Sequence, residues 1–244
     1  MTTEMAGPEA PTGDPWHGEP ATEVAQAFGV DPEEGLSTAE AAERLDRHGP
    51  NAIPAEPPPS YWEIAREALS DPMNLMLLAV TVAALLIGQV STGILVGVLV
   101  VLNVVMATNQ ELKAKATVAA LEDLQVPTAR VRRDGRVSEI AATDLVPGDV
   151  ITVEAGDLVP ADGRIVSSAS LEVQEAALTG ESAPVAKDPA AVADDAALGD
   201  RSGMAFQNTA VSRGTATVVV TGTGGDTEMG KIAGMLRGVE RARS

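Results

Sequence analysis

The sequence predicts an α+β membrane protein made of a small helical N-terminal module, a two-helix transmembrane hairpin and a β-rich domain. Three observations predict it. Residues Pro72 to Gln110 contain no Asp, Glu, Lys or Arg, whereas the flanking segments are rich in them. Before that block, apolar residues recur at helical spacing. After Lys115 the pattern alternates and is punctuated by Pro-Gly and Asp-Gly, as strands joined by tight turns require.

Composition narrows the chemistry. The formal net charge of −18 over 244 residues argues against nucleic acid as a partner, because binding phosphates needs clustered Lys and Arg. With Cys 0 there are no disulfides, thiolate zinc sites or cysteine nucleophiles. His17 and His48 lie far apart in acidic or polar surroundings, which disfavours a histidine metal site. The opening MTTEMAGPEAPTGDP lacks a basic region followed by an apolar core, so it does not read as a secretory signal, and it is expected to be a disordered acidic tail.

The elements follow in order. ATEVAQAFGV and LSTAEAAERLDRHGPN form a helical pair, the second opened by Ser37 and Thr38 and stopped by Gly49-Pro50, with no chemistry expected beyond packing. AEPPPS is a stiff, extended linker. Tyr61 to Ser70 is an amphipathic lead-in whose Tyr61-Trp62 pair suits a membrane interface. As one helix the uncharged block would be about 58 Å long, roughly twice the ~30 Å of a hydrocarbon core. Two passages are therefore expected, about residues 72–87 and 94–109, with GQVSTG at Gly88 to Gly93 as the turn between them. Arg66 before the pair and Lys113 and Lys115 after it place both ends in the cytoplasm. A buried helix pair in a soluble protein is the competing arrangement, disfavoured by the length of the uncharged runs.

TARVRRDGRVSEI contains the hairpin signal Asp134-Gly135, and LVPGDVITVEAGDLVPADGRIVSS holds three strand-like stretches. TATVVVTGTGG is a further strand, and EMGKIAGMLRGVERARS returns to helical spacing. Two short motifs stand out. GDTEMGKI, with Gly225, Gly230 and Lys231, fits the start of a phosphate-binding loop, but Ile232 stands where the magnesium-ligating Ser or Thr should be, so a turn entering a helix is preferred. LTGES, at 178 to 182, is by itself an ordinary polar surface turn.

Taken together and in order, these stretches resemble the front part of a P-type cation-transporting ATPase of the type II group, which includes calcium, sodium/potassium and related bacterial pumps. LSTAEAAERLDRHGPNAI looks like the cytoplasmic N-terminal module of that group, and SDPMNLMLLAV like the start of its first spanning helix. PGDV at 147–150, GDLVPADGRI at 156–165 and LTGES at 178–182 look like its actuator domain. MAFQNTAVSRGTATVVVTGTGGDTEMGKIA looks like the return path towards a third spanning helix. The resemblance covers nearly everything from about residue 20 and divides the chain into a disordered tail (1–19), the N-terminal module and linker (20–59), the lead-in and hairpin (60–115), the actuator domain (116–230) and the start of a linker helix (231–244).

The resemblance implies a role for the turn. In such pumps it swings over a phosphorylated aspartate of another domain, and by match Glu181 would position and activate the hydrolytic water, with Thr179, Gly180 and Ser182 shaping the loop. Departures exist: Gln174-Glu175 stands where Asp-Glu is frequent, and Gly203 and Asn208 stand where Asn and Gly are more usual. No DKTGT phosphorylation motif occurs, nor a nucleotide-binding domain or a proline-interrupted ion-binding helix. The expectation is a chain incomplete alone that binds no cofactor itself, ATP and Mg²⁺ being implied for the complete pump. It is read either as a split gene product or as a fragment; its expected partners are membrane lipid and, in the split case, a separate chain carrying the missing domains, and its expected place is a cell membrane, crossed more than once with both termini cytoplasmic. Asn74, Asn103 and Gln89 read as helix packing or interface contacts. The alternative is a non-enzymatic, membrane-anchored regulatory or vestigial module.

Overall fold

The computed structural model describes residues 16–53, 60–123 and 127–241. The chain divides into two units, one combining Met1–Pro54 with Val126–Ser244 and the other comprising Ala55–Gln125. Residues 1–15 of the expected tail, and the AEPPPS linker up to residue 59, lie outside the described residues. The end of that tail is corrected. The Trp16 ring sits 5.2 Å from the Phe28 ring, and His17 is buried, its Nε2 3.0 Å from the Asp194 carbonyl oxygen. Composition suggested disorder as an average over the tail, but one indole with an apolar partner is enough to hold these residues down.

In the first unit, helix α1 (Ala21–Ala27) and helix α2 (Thr38–His48) lead the chain. The capping box at the start of α2 explains why it begins there: the Ser37 hydroxyl accepts the Glu40 N–H and the Glu40 carboxylate accepts the Ser37 N–H. The strands are β1 (Thr128–Arg133), β2 (Arg136–Ala141), β3 (Val150–Glu154), β4 (Asp162–Gln174), β5 (Val185–Ala186), β6 (Met204–Ala205) and β7 (Ala210–Gly222), with a short helix α6 (Ala176–Thr179) after β4 and helix α7 (Glu228–Arg241) after β7. They form one antiparallel sheet in the order β2-β1-β3-β7-β4-β5, with β6 on β4. The Asp134-Gly135 turn joins β1 to β2, setting Arg133 opposite Arg136.

Side chains alternate between the two faces of a strand, and here both faces are buried. Ile151, Val153, Val218 and Val220 belong to one core with Val131, Leu145, Ile165 and Val173. Val150 and Val219 belong to a second core with Val24, Phe28, Leu36, Ala41 and Val146. Double burial is why Val218, Val219 and Val220 follow one another without a polar residue between them. It also changes the expected organisation: the N-terminal helices are the cover of the sheet's second face, not a separate module. Arg44 ties them down by donating to the carbonyls of Phe28 and Pro147.

The second unit holds helices α3 (Tyr61–Ser70), α4 (Pro72–Leu86) and α5 (Val90–Asp123). α3 and α4 meet at a bend of 72°, set by Asp71, which caps the Met73 N–H, and by Pro72 at the first helical position. The turn between α4 and α5 is shorter than expected. It spans only 87–89, and Ser91 to Gly93 are already helical. α5 also runs on to Asp123, past the expected end at 109, because nothing in ELKAKATVAALED breaks a helix. Among the described residues only Val90–Lys115 is by itself long and apolar enough to cross a membrane, while α3 and α4 qualify as a bent pair. Asn103 donates to Asn74 at 2.9 Å, and Asn74, buried, donates to the Ala68 carbonyl at 2.7 Å. Both asparagines thus serve packing between the helices, and Gln89 lies exposed in the turn.

Buried polar side chains secure the connections of the first unit. Asn51 donates to the carbonyls of Ala142 and Pro160 and accepts the Gly224 N–H at 2.8 Å. Asp149 of PGDV accepts two bonds from Arg133, at 2.8 and 2.7 Å. Asp162 accepts the N–H groups of Gln207 and Glu228, both at 2.7 Å, and so fastens the first residue of α7 to β4.

Burial pushes the Asp162 carboxyl up to about 6, opposed by those two N–H donors and by Lys231, and helped by Glu228. A carboxyl raised in the folded state holds its proton more tightly there than in the unfolded chain, so its contribution to stability falls as pH rises through that window and is level above it. The wild-type chain is expected to lose about 3 kcal/mol relative to Asp162→Asn between roughly pH 4 and pH 7. Thermal unfolding of both proteins across that range checks this; parallel pH profiles would contradict it.

Candidate catalytic loop

The expected site residues lie where β4 leaves the sheet. The chain passes from Gln174 through buried Glu175 into α6, turns at Gly180 and returns through β5. Gly180 has φ 78, a left-handed conformation that caps α6, and its N–H donates to the Ala176 carbonyl. Residues with a Cβ rarely adopt this conformation, which is the physical reason for glycine here. The next residue is Glu181, exposed, followed by exposed Ser182.

The structure brings three of the four expected residues into one hydrogen-bonded turn. The Thr179 hydroxyl donates to the Glu175 carbonyl at 3.1 Å and accepts the Glu181 N–H at 3.3 Å. Thr179 thus shapes the loop from inside, Gly180 lets it turn, and Glu181 stands at the tip. Ser182 is next in the chain and faces solvent. A carboxylate on an exposed tip, carried by a rigid sheet, can reach a group on another domain and act there as a base.

Under the loop lies a feature the sequence did not disclose. Glu175 and Lys187 form an ion pair at 2.5 Å with both side chains fully buried. Burial pushes the Glu175 carboxyl up and the Lys187 ammonium down, and each is pulled back by the other's charge. The ammonium also lies 5.3 Å from the centroid of the Phe206 ring. In the sequence Lys187 is simply a lysine shortly after LTGES, and sequence spacing cannot say that it turns inward.

Two of the departures noted in the sequence, Gly203 and Asn208, have structural reasons. A Cβ on Gly203 would lie 2.4 Å from Nη1 of Arg164. That guanidinium is fully buried and donates to the carbonyls of Glu19, Ile165, Pro189 and Gly203. Asn208 has φ 65, a left-handed position where asparagine and glycine interchange most readily. In GDTEMGKI, Lys231 is paired with Glu228 at 2.7 Å, and the Glu228 N–H at the start of α7 is taken by Asp162. That N–H at the helix start is thus taken by the protein's own carboxylate, as an anion would take it.

Comparison with known proteins agrees with this geometry. The model of the P-type ATPase actuator domain matches residues 123–237, and that of the cation transporter/ATPase N-terminus matches 16–84. The chain belongs to the family of P-type cation-transporting ATPases. It is similar to a calcium-transporting ATPase of Listeria monocytogenes, 38% identical over 85% of this chain and 24% of that protein. It is also similar to calcium-transporting ATPases of Lactococcus lactis, 38% identical over 85% of this chain and 24% of the relative, and of Bacillus subtilis, 37% identical over 88% and 24%. The chain therefore spans about a quarter of the length of these relatives.

A Cβ at position 180 would meet nothing within 4 Å, so Gly180→Ala should cost only the left-handed backbone penalty, about 1 kcal/mol. Chemical unfolding of the two proteins measures it; a loss well beyond that would reveal a contact at the turn that the geometry does not contain.

Proposed function

We propose that this chain supplies the actuator part of a P-type pump that couples ATP hydrolysis to cation movement, and that Glu181 is the base of its dephosphorylation step. The observation that carries the reading is an exposed carboxylate at the tip of a turn braced by Thr179 and shaped by Gly180, on the domain that the actuator model matches. The phosphorylated aspartate belongs to another domain. When the loop lies over it, Glu181 holds a water in line with phosphorus and takes its proton as the new P–O bond forms. The bond from phosphorus to the aspartyl oxygen breaks, leaving the aspartate carboxylate and inorganic phosphate. Water activation by a positioned base suits a weak, solvent-facing carboxylate, because the tip must be dry only when docked.

In this reading α4 and α5 cross the membrane as a hairpin with both termini in the cytoplasm. The Asn74–Asn103 bond holds the two helices in register, as a buried polar contact does where lipid offers no partner. Two helices do not enclose an ion path, so the cation ligands and the ATP and Mg²⁺ sites lie on domains beyond these residues. The relatives' names point to calcium for those proteins, and a cation of that class is the starting expectation here.

The test is acyl phosphate formation and decay from labelled ATP in membranes. This chain is assayed alone, then together with the phosphorylation and nucleotide-binding domains on the same or a second polypeptide. Phosphoenzyme is expected only in the second case, and Glu181→Gln should slow its decay roughly 10²–10⁴-fold while leaving its formation unchanged. Unchanged decay in the variant would remove Glu181 from the mechanism, and no phosphoenzyme in either case would favour a regulatory module without activity of its own.

A further inference from the structure

The loop that carries Glu181 rests on little regular structure. Its stems pair at only two positions, Glu172 with Ala186 and Val173 with Val185. Between them lie the four residues of α6, and 180–184 are exposed. A loop so lightly held would wander over several positions, yet a general base must meet its water within hydrogen-bond reach.

We propose that Glu175 and Lys187 are positioning residues for Glu181, their buried ion pair clamping the two stems of the loop so that the carboxylate is presented in one place. This rests on the reading of Glu181 given above. The placement supports it: Glu175 is the residue just before α6 and Lys187 the residue just after β5, so the pair closes the loop at its base. The connection to Glu181 is continuous. The carbonyl of the same Glu175 accepts the N–H groups of Leu178 and Thr179 and the Thr179 hydroxyl, and that hydroxyl accepts the Glu181 N–H. On the other side, the Lys187 ammonium donates to the Arg201 carbonyl at 3.4 Å and lies against the Phe206 ring, which fixes where the clamp stands on the sheet.

Stability alone does not account for such a pair. Taking both charges out of water costs about as much as their attraction returns, and apolar replacements of similar size are often neutral or stabilising. What two apolar side chains do not supply is direction: a Leu-Met contact can slide, whereas a carboxylate and an ammonium with no water to substitute for either partner hold one arrangement. Among the described residues the Glu175 carboxylate has no hydrogen-bond partner besides that ammonium, so the geometry of the stem depends on it.

The test uses Glu175→Leu/Lys187→Met, which removes both charges and keeps the volume, beside wild type and Glu181→Gln, in the complete assembly described above. The double variant is expected to melt near wild type and to form phosphoenzyme at the wild-type rate, but to release phosphate roughly ten- to hundredfold more slowly, as displacement of a reacting group does. Amide exchange at residues 178–182 should be faster in the variant chain. A purely structural pair would move melting temperature, or formation and decay alike. Wild-type decay in the double variant, with Glu181→Gln stalled, overturns the positioning role alone. Wild-type decay in Glu181→Gln overturns the reading of Glu181 and the clamp with it. If the double variant melts early, Glu175→Asp, which keeps the charge and shortens the reach, carries the test: slowed decay with normal formation supports the clamp, and unchanged decay overturns it.

Discussion

The central strand β7 is apolar on both faces, and the rest of the first unit is arranged to keep both faces dry. Val218 and Val220 enter one core while Val219 between them enters the other. A sheet with one covered face would leave Val150 and Val219 in water, at a cost of a few kcal/mol for residues of this size. The cover comes from α1, α2 and the loop at Leu36, separated from the sheet in sequence by the whole of the helical unit. The chain must therefore leave for α3 to α5 and return. Asn51 and Arg44 are the fastenings on the outgoing side, both bonding to carbonyls of the β-rich part.

With both faces of the sheet occupied, the exposed turns lie at the ends of strands. The loop after β4 is such an end, and it shows a contrast: Glu175 is wholly buried and paired, and Glu181, six positions on, is exposed. The same contrast recurs elsewhere. Asp149, Asp162 and Arg164 are buried, each bonded to N–H or carbonyl groups of a connection or to a partner side chain, so the carriers of charge inside this unit define turns rather than fill the core. Such networks are costly when half satisfied, which ties the loop conformations to the folded state of the sheet.

The helical unit obeys the opposite rule. Its large apolar side chains, including Leu86, Ile87, Leu95, Val101 and Met106, face outward, while polar Asn74, Thr81 and Thr108 are turned inward. In water that arrangement is unfavourable; against hydrocarbon it is the favoured one, since lipid tails accept the apolar exterior and polar groups must find partners inside.

Much of this was legible in the residues. Local rules were enough for the opening of α2 at Ser37 and Thr38, the Asp134-Gly135 hairpin turn, the uncharged run from Pro72 to Gln110 and the turn at Gly180, because each depends on neighbours within a few positions. The TGES stretch was readable as a motif, and Thr179, Gly180 and Glu181 do form one hydrogen-bonded turn. Tertiary structure alone decided what is distant in sequence: that α1 and α2 cover the sheet, that Trp16 packs on Phe28, and that Glu175 meets Lys187. Periodicity tells which side of an element is apolar, but not which element it will meet, and charge in a sequence does not say whether water or another side chain will answer it. Those outcomes depend on burial, and burial is a property of the assembled sheet.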